Sequence, residues 1–194
     1  MSSIAFYDAN GDDFFARSAH VEKLPHLQRF MARMPPGGVV LEAGCGSGRD
    51  ALALRQAGFA VTAFDGSATM VRLASRHTGL AVLHMTFDEM AWESAFDGVW
   101  ACASLLHVAP ADLPAVFGRI GCALKPGGVA FASFKLGQGR RFANGRWFTD
   151  LGLDDLAALF KAAGCDILER DVSSDLRAGR EHELWAAAIA RRAA

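Results

Sequence analysis

Three glycines at alternate positions, Gly44, Gly46 and Gly48, follow directly on the aliphatic run Val39-Val40-Leu41 and an acid, Glu42. An Ala/Leu-rich helical pattern (Ala51, Leu52, Leu54) comes at once after them. Strand, glycine turn and helix form the first βα unit of a nucleotide-binding sheet. Glycine has no Cβ, so the backbone can turn sharply there and approach a ligand closely. The acid narrows the chemistry. A carboxylate at the strand tip repels a pyrophosphate and suits a neutral ribose or a cationic group. The segment Gly46-x-Gly48-x-x-Ala51 also fits the dinucleotide fingerprint, in which a pyrophosphate sits on bare amides at a helix N-terminus. The turn alone leaves both nucleotides open. Glu42 and the extra Gly44 favour a nucleoside without phosphates.

Other reactive side chains lie downstream. His107 stands in Ser104-Leu105-Leu106-His107-Val108. Arg140, Arg141 and Arg146 are interleaved with Phe142, Trp147 and Phe148. Guanidiniums beside aromatic rings can bind an anionic or planar ligand. The four cysteines, Cys45, Cys102, Cys122 and Cys165, are scattered without a CxxC pair, so neither zinc nor a disulfide framework is indicated. No metal is expected.

The elements that must position these residues alternate along the chain. Residues 1–36 read as a helical N-terminal cap. Asp12 or Asp13 is expected to start a helix through Phe14, Phe15 and Arg17. A second helix over Val21–Met34 places Leu24, Leu27, Phe30 and Met31 at helical spacing. Pro35-Pro36-Gly37-Gly38 stops it. Strands are then expected at Val39–Glu42, Ala60–Asp65, Leu80–Met85, Phe96–Ala101, Val129–Phe134, Asp166–Glu169 and Glu183–Ala190. Helices are expected at Arg49–Ala57, Ala68–Arg76 with Ser67 as N-cap, Pro110–Leu124 and Leu153–Ala163. Lys125-Pro126-Gly127-Gly128 is a turn into the fifth strand. Residues 137–149 form an excursion with Asn144-Gly145 at its tip, a strong hairpin signal. Alternating βα units imply a mostly parallel sheet with helices on both faces, and such sheets bind ligands beyond the carboxyl ends of their strands.

Composition sets the class. The chain has 194 residues, 52% hydrophobic and 21% charged, which is enough for one globular domain, here taken as residues 1–194. A net charge of −1 gives no whole-chain case for nucleic acid or an anionic membrane surface. No apolar run is long enough to span a bilayer, and the first residues lack a secretory pattern, so a cytoplasmic location is expected.

Taken in order, four stretches resemble the class I S-adenosylmethionine-dependent methyltransferases. They are LEAGCGSG (Leu41–Gly48), AFDGS (Ala63–Ser67), FDGVWACASLLHV (Phe96–Val108) and LKPGG (Leu124–Gly128). The resemblance covers most of the chain and is strongest to small bacterial-type members similar to tellurite-resistance methyltransferases. It implies an α/β, Rossmann-like, doubly wound sheet of seven strands with the last antiparallel. It also implies S-adenosyl-L-methionine as cofactor and S-adenosyl-L-homocysteine as product. On that reading Glu42, Gly44, Cys45, Gly46 and Gly48 surround the methionine and ribose parts. Asp65, followed by Gly66, accepts two hydrogen bonds from the ribose diol. Met70 packs on the adenine face, unless it is simply a core methionine. Thr86, Phe87 and Asp88 border the adenine edge; counting back from the fourth strand lands on Thr86-Phe87, whereas Asp88 is the nearest acid. Ala101 and Cys102 leave room for the methionine moiety, and Arg17 reaches its carboxylate. His107 is a candidate base, against an orienting role. Tyr7, Arg140, Arg141 and Arg146 are assigned to the methyl acceptor, expected to be a small molecule.

Three rivals stay open: a methyltransferase acting on RNA or protein, a non-catalytic cofactor-binding protein, and an NAD(P)-dependent oxidoreductase. Glu42 and LKPGG weigh against the last.

Overall fold

The computed structural model describes residues 2–21, 25–175 and 179–194. Helix α1 (Ser3–Ser18) starts at Ser2, whose side chain accepts from the Ala5 amide. The expected start at Asp12 or Asp13 is therefore displaced by more than two turns. A local irregularity does exist nearby, since Asn10 has φ −124° and ψ 17° and kinks the helix. The kink lets Gly11 press on the next layer, where a Cβ would lie 2.4 Å from Thr69 Cγ2. Helix α2 spans Pro25–Met31, shorter than the expected Val21–Met34, and Leu24 lies outside the described residues.

The strands are β1 (Val39–Ala43), β2 (Ala60–Asp65), β3 (Leu83–His84), β4 (Phe96–Ala101), β5 (Leu124–Lys135), β6 (Gly139–Ala143), β7 (Arg146–Asp150), β8 (Cys165–Ser174) and β9 (Leu184–Arg192). The intervening helices are α3 (Arg49–Gln56), α4 (Ala68–Thr78), α5 (Leu113–Ala123) and α6 (Leu153–Ala162). Seven strands make one sheet in the order β3-β2-β1-β4-β5-β9-β8. All pairs are parallel except those of β9, which runs against both β5 and β8. The expected Rossmann-like sheet with an antiparallel last strand is what forms. β6 and β7 pair as a separate hairpin, with Asn144 (φ 50°) and Gly145 (φ 77°) at the turn. Both residues sit in the left-handed region that this type of turn demands.

Alternation along the strands splits the core between the sheet's two faces. Val40, Trp100, Val129, Phe131 and Ile189 pack with Leu27 and Phe30 of α2 and with Leu54 of α3. Leu41, Val99, Ala130 and Ala132 pack with Phe117 of α5 and Phe160 of α6. Trp100 and Phe131 stack with centroids 4.0 Å apart. β3 is shorter than expected because it lies at the sheet edge and pairs only through Leu83 and His84. β8 is longer than expected. Its polar residues are held by α2 and the turn after it: Arg33 of the turn bonds Glu169 at 2.7 Å, Arg29 bonds Glu169 and Asp171, and His26 bonds Asp171 at 2.7 Å. Charged edge positions hid that strand from a hydrophobicity reading.

At the end of the sheet away from the glycine turn, Asp97 Oδ2 accepts from the Val39 amide at 2.8 Å, and Lys125 Nζ approaches both carboxylate oxygens at 3.0 and 2.9 Å. Burial opposes ionisation there, but the amide and the ammonium outweigh it and hold the Asp97 pKa below the ordinary carboxylate value. A depressed folded pKa stabilises the fold above the unfolded value and loses that stabilisation as pH falls through the folded one. Asp97→Ala is expected to cost about 1.5–3 kcal/mol in urea denaturation at neutral pH, the range for a hydrogen bond to a charged group. The difference from the parent should shrink in acid. An equal cost at pH 7 and at strongly acid pH would contradict this.

Candidate active site

A cleft of about 770 Å³ opens beyond the carboxyl ends of β1, β2 and β4 and is bordered by α1 and the hairpin. Its floor is the glycine turn. Gly44 (φ 75°), Gly46 (φ 53°) and Gly48 (φ 75°) all take left-handed backbone. The amides of Gly44 and Cys45 both bond Phe64 O, at 3.0 and 2.9 Å, which ties the turn to the neighbouring strand. Ser104 closes the other side, its hydroxyl donating to Ala43 O at 2.7 Å.

Asp65 stands at the tip of β2. Its Oδ2 accepts from the Gly46 amide at 2.8 Å and its Oδ1 from the Ser67 amide at 2.9 Å. Burial raises its pKa, against the pull of those two amides. Ser67 caps α4 as expected, accepting from the Met70 amide at 3.2 Å, and it donates to Asp8 of α1 at 2.7 Å. That contact, invisible in sequence, fastens α1 beside the cleft.

Glu42 is 4% exposed and lines the floor. Its Oε2 is a buried oxygen without a hydrogen-bond partner. Burial, and after it the nearby Asp50 carboxylate, push its pKa well above the ordinary value. Asp50 itself is satisfied by Arg49 at 2.7 and 2.9 Å and by Trp100 Nε1 at 2.9 Å. Arg49 and Asp50 both line the cleft. Their sequence signal was their place in the first turn after the glycines.

Met70 lines the cleft at 1% exposure. Thr86, Phe87 and Asp88 all line it too, because they wrap a single 3-10 turn, Phe87–Glu89, capped by Thr86. Cys45 and Cys102 line the cleft as neutral thiols; burial pushes Cys45 well up and Cys102 to about 12. Neither is poised as a nucleophile.

Four expected site residues fall elsewhere. Arg17 is exposed and donates to Asp13 O at 3.1 Å one turn back on its own helix, so it does not reach the cleft. Ala101 is fully buried in the core beneath it. Gly48 faces α4 instead, where a Cβ would meet Thr78 Cγ2 at 2.7 Å. Arg141 pairs with Asp150 within the hairpin. Gly44, Gly46, Gly66, Arg140 and Arg146 do line the cleft.

Tyr7, His107 and Arg146 converge beside Phe14 and Phe148. His107 Nδ1 lies 2.8 Å from Trp147 O, so that nitrogen carries the hydrogen and donates it. Nε2 then holds the lone pair and accepts from the Tyr7 hydroxyl at 3.0 Å. Arg146 Nη1 donates to the same hydroxyl at 2.8 Å. Burial first, and the Arg146 charge as well, lower the His107 pKa to about 4 despite the Trp147 carbonyl. Among the described residues no group of three His, Cys, Asp or Glu is placed to hold a metal, and no helix is long and apolar enough to cross a membrane.

Residues 40–128 match the family described as "Methyltransferase domain". A ubiquinone biosynthesis O-methyltransferase of Methylocella silvestris is 35% identical over 127 residues, covering 62% of this chain and 48% of that protein. A namesake in Xanthomonas axonopodis pv. citri is 32% identical over 136 residues, 66% of this chain and 55% of its own length. The chain thus spans about half the length of the curated relatives it matches. Among solved structures, the Burkholderia thailandensis 1,6-didemethyltoxoflavin-N1-methyltransferase, with bound 1,6-didemethyltoxoflavin and S-adenosylhomocysteine, superposes with a TM-score of 0.78 at 23% identity over 98% of this chain and 85% of that one. The magnesium protoporphyrin IX methyltransferase of Synechocystis with bound S-adenosylhomocysteine gives 0.74 at 17% identity, over 98% and 97%. At these identities the superpositions establish the fold.

Proposed function

We propose, for a chain that belongs to the class I S-adenosylmethionine-dependent methyltransferases, transfer of the sulfonium methyl of S-adenosyl-L-methionine to a nucleophile of a small molecule. One observation carries the reading. A single cleft brings together a buried carboxylate with one unpartnered oxygen, a ribose-type acid, and a group of aromatic and cationic side chains.

The residues present fit the cofactor. Glu42 Oε2, buried and without a partner, suits a cationic ammonium or sulfonium group. The left-handed glycines leave the floor bare where Cβ atoms would intrude. Asp65 retains lone pairs beyond the two amide bonds and can accept from a ribose diol. Met70 and Phe87 offer apolar surface for adenine. The bound cofactor supplies an activated methyl group and leaves as S-adenosyl-L-homocysteine. The protein's share is to hold the acceptor in line with that methyl and to keep water out, which by itself lowers the barrier substantially. The aromatic pocket of Tyr7, Phe14 and Phe148 does this at the acceptor end. A cleft of about 770 Å³ lies in the range of small-molecule sites, which favours a metabolite over a polymer.

Labelled S-adenosylmethionine with purified protein and a metabolite extract tests the reading. Label in a small-molecule fraction is expected; label in protein or RNA would replace it with the macromolecular alternative. Glu42 makes a further test. A cationic ligand beside a carboxyl whose pKa is raised favours the ionised form, so binding should release protons over the pH range in which the free Glu42 carboxyl titrates. Calorimetry in buffers of different ionisation enthalpy should report that release, and Glu42→Gln should abolish it. Binding heats that are independent of the buffer would contradict the Glu42 role.

A further inference from the structure

Arg146 and the exposed Arg140 both line the cleft without a carboxylate partner among the described residues, and Arg146 is the half-buried one. Its guanidinium lies 4.7 Å from the ring centre of Phe6, 5.4 Å from that of Tyr7 and 5.1 Å from that of Phe148. Its Nε is buried without a partner. Its hairpin neighbour Arg141 is neutralised by Asp150, whereas among the described residues no carboxylate pairs with Arg146. A guanidinium held among rings, with an N–H unsatisfied, is matched by a planar anion that can take the N–H and stack on the rings.

His107 is engaged at both nitrogens, Nδ1–H on Trp147 O and Nε2 on the Tyr7 hydroxyl. The lone pair a base would use is already occupied by Tyr7. The imidazolium is also disfavoured by burial and by the adjacent Arg146. The same cleft is also lined by Tyr7 from α1, Arg140 from the hairpin, Asp112 ahead of α5 and Lys135, Asp175 and Arg180, besides the titratable groups around the glycine turn and Asp65.

We propose that the acceptor is a planar aromatic acid, a phenol or enol, that binds already ionised with its oxyanion against Arg146, and that His107 is a positioning residue for Tyr7 and not the base. The inference rests on the methyltransferase reading. The acceptor's proton is given to solvent before binding. In the transfer a lone pair of the oxyanion forms the new O–CH3 bond while the S–CH3 bond breaks with its pair left on sulfur. The negative charge of the acceptor and the positive charge of the sulfonium cancel in that step, so no proton has to be taken up within the site.

The probe is 4-nitrophenol, whose ionised form has its own visible absorbance, added to the full chain with S-adenosylhomocysteine. Its apparent pKa on the protein is expected to fall by about one unit, a tenfold gain in ionised over neutral probe, as for an acid beside an opposite charge. Arg146→Gln should remove that shift and Arg146→Lys should restore part of it. His107→Gln should weaken binding yet keep the shift, and in the parent the His107 imidazole, followed by NMR, should stay neutral until the pH approaches about 4. A probe that binds neutral or not at all, a shift that survives Arg146→Gln, or a His107 midpoint near 6.5 would each overturn the proposal. Calorimetry with S-adenosylhomocysteine separates the two levels. Cofactor binding with a neutral probe sinks only the ionised-acceptor inference, whereas no cofactor binding sinks the methyltransferase reading beneath it.

Discussion

Asp65→Ala is expected to weaken S-adenosylhomocysteine binding by at least tenfold in calorimetry. The size follows from the bonds at stake, since hydrogen bonds to a charged group are worth about 1.5–3 kcal/mol. Asp65 is proposed to accept from the ribose diol while it also holds the Gly46 and Ser67 amides at 2.8 and 2.9 Å. Truncation therefore removes a ligand contact and leaves two backbone donors of the turn without their acceptor. Asp65→Asn separates these effects. The amide keeps one acceptor oxygen and the side-chain shape, but it loses the charge and places an NH2 against one of the backbone donors. Its loss of affinity should be smaller than that of alanine, with a folded circular dichroism spectrum in both variants. Unchanged affinity in Asp65→Ala would remove the ribose assignment and with it the main tie between this cleft and an adenosyl group.

Gly44→Ala is expected to destabilise the protein by about 2–5 kcal/mol in urea denaturation and to abolish cofactor binding. Two costs add. Alanine at φ 75° carries about 1–2 kcal/mol of left-handed strain. The new Cβ would also lie 2.6 Å from Ser104 Cβ and 3.1 Å from Phe87 Cζ, and overpacking costs typically about 1–3 kcal/mol. Ser104 cannot readily give way, because its hydroxyl is bonded to Ala43 O at 2.7 Å and it is 8% exposed. Gly127 supplies the control. It has nearly the same φ, 77°, but nothing lies within 4 Å of its would-be Cβ. Gly127→Ala should show the strain alone. Equal losses in the two variants would mean that the close approach at Gly44 contributes nothing.

The linear chain carried the sheet because each central strand is an aliphatic run bounded by turn residues. β2 and β4 form over the residues expected of them, Ala60–Asp65 and Phe96–Ala101. It carried less at the edges. β8 extends to Ser174 by pairing with β9, and its acids are met by Arg29 of α2 and Arg33 of the turn after it, a pairing between segments some 140 residues apart. The first helix begins at Ser2 and not at Asp12 or Asp13, since the chain bends at Asn10 without ending there. Arg17 illustrates the same limit: its helix was legible, but the direction of its side chain was not.

The glycine turn, the acid before it and Asp65 are local in sequence, and a backbone that turns sharply beside a strand tip dictates most of its own geometry. The half of the cleft around the glycine turn and Asp65 was therefore legible from residue types, spacing and the family resemblance. The half around His107 was not. Tyr7, His107 and Arg146 are separated by 100 and 39 positions, and only the docking of α1 through Asp8 on Ser67 and the return of the hairpin beside the fourth strand bring their polar atoms within 3.0 Å of one another in sequence Arg146, Tyr7, His107. The tertiary structure likewise decided what each of them is. Half-burial and the Arg146 charge hold the pKa of His107, bonded at both nitrogens, down to about 4, and among the described residues Arg146 has no acid partner while Arg141 has one. Such properties belong to the surroundings of a side chain, and those surroundings are assembled from distant parts of the chain.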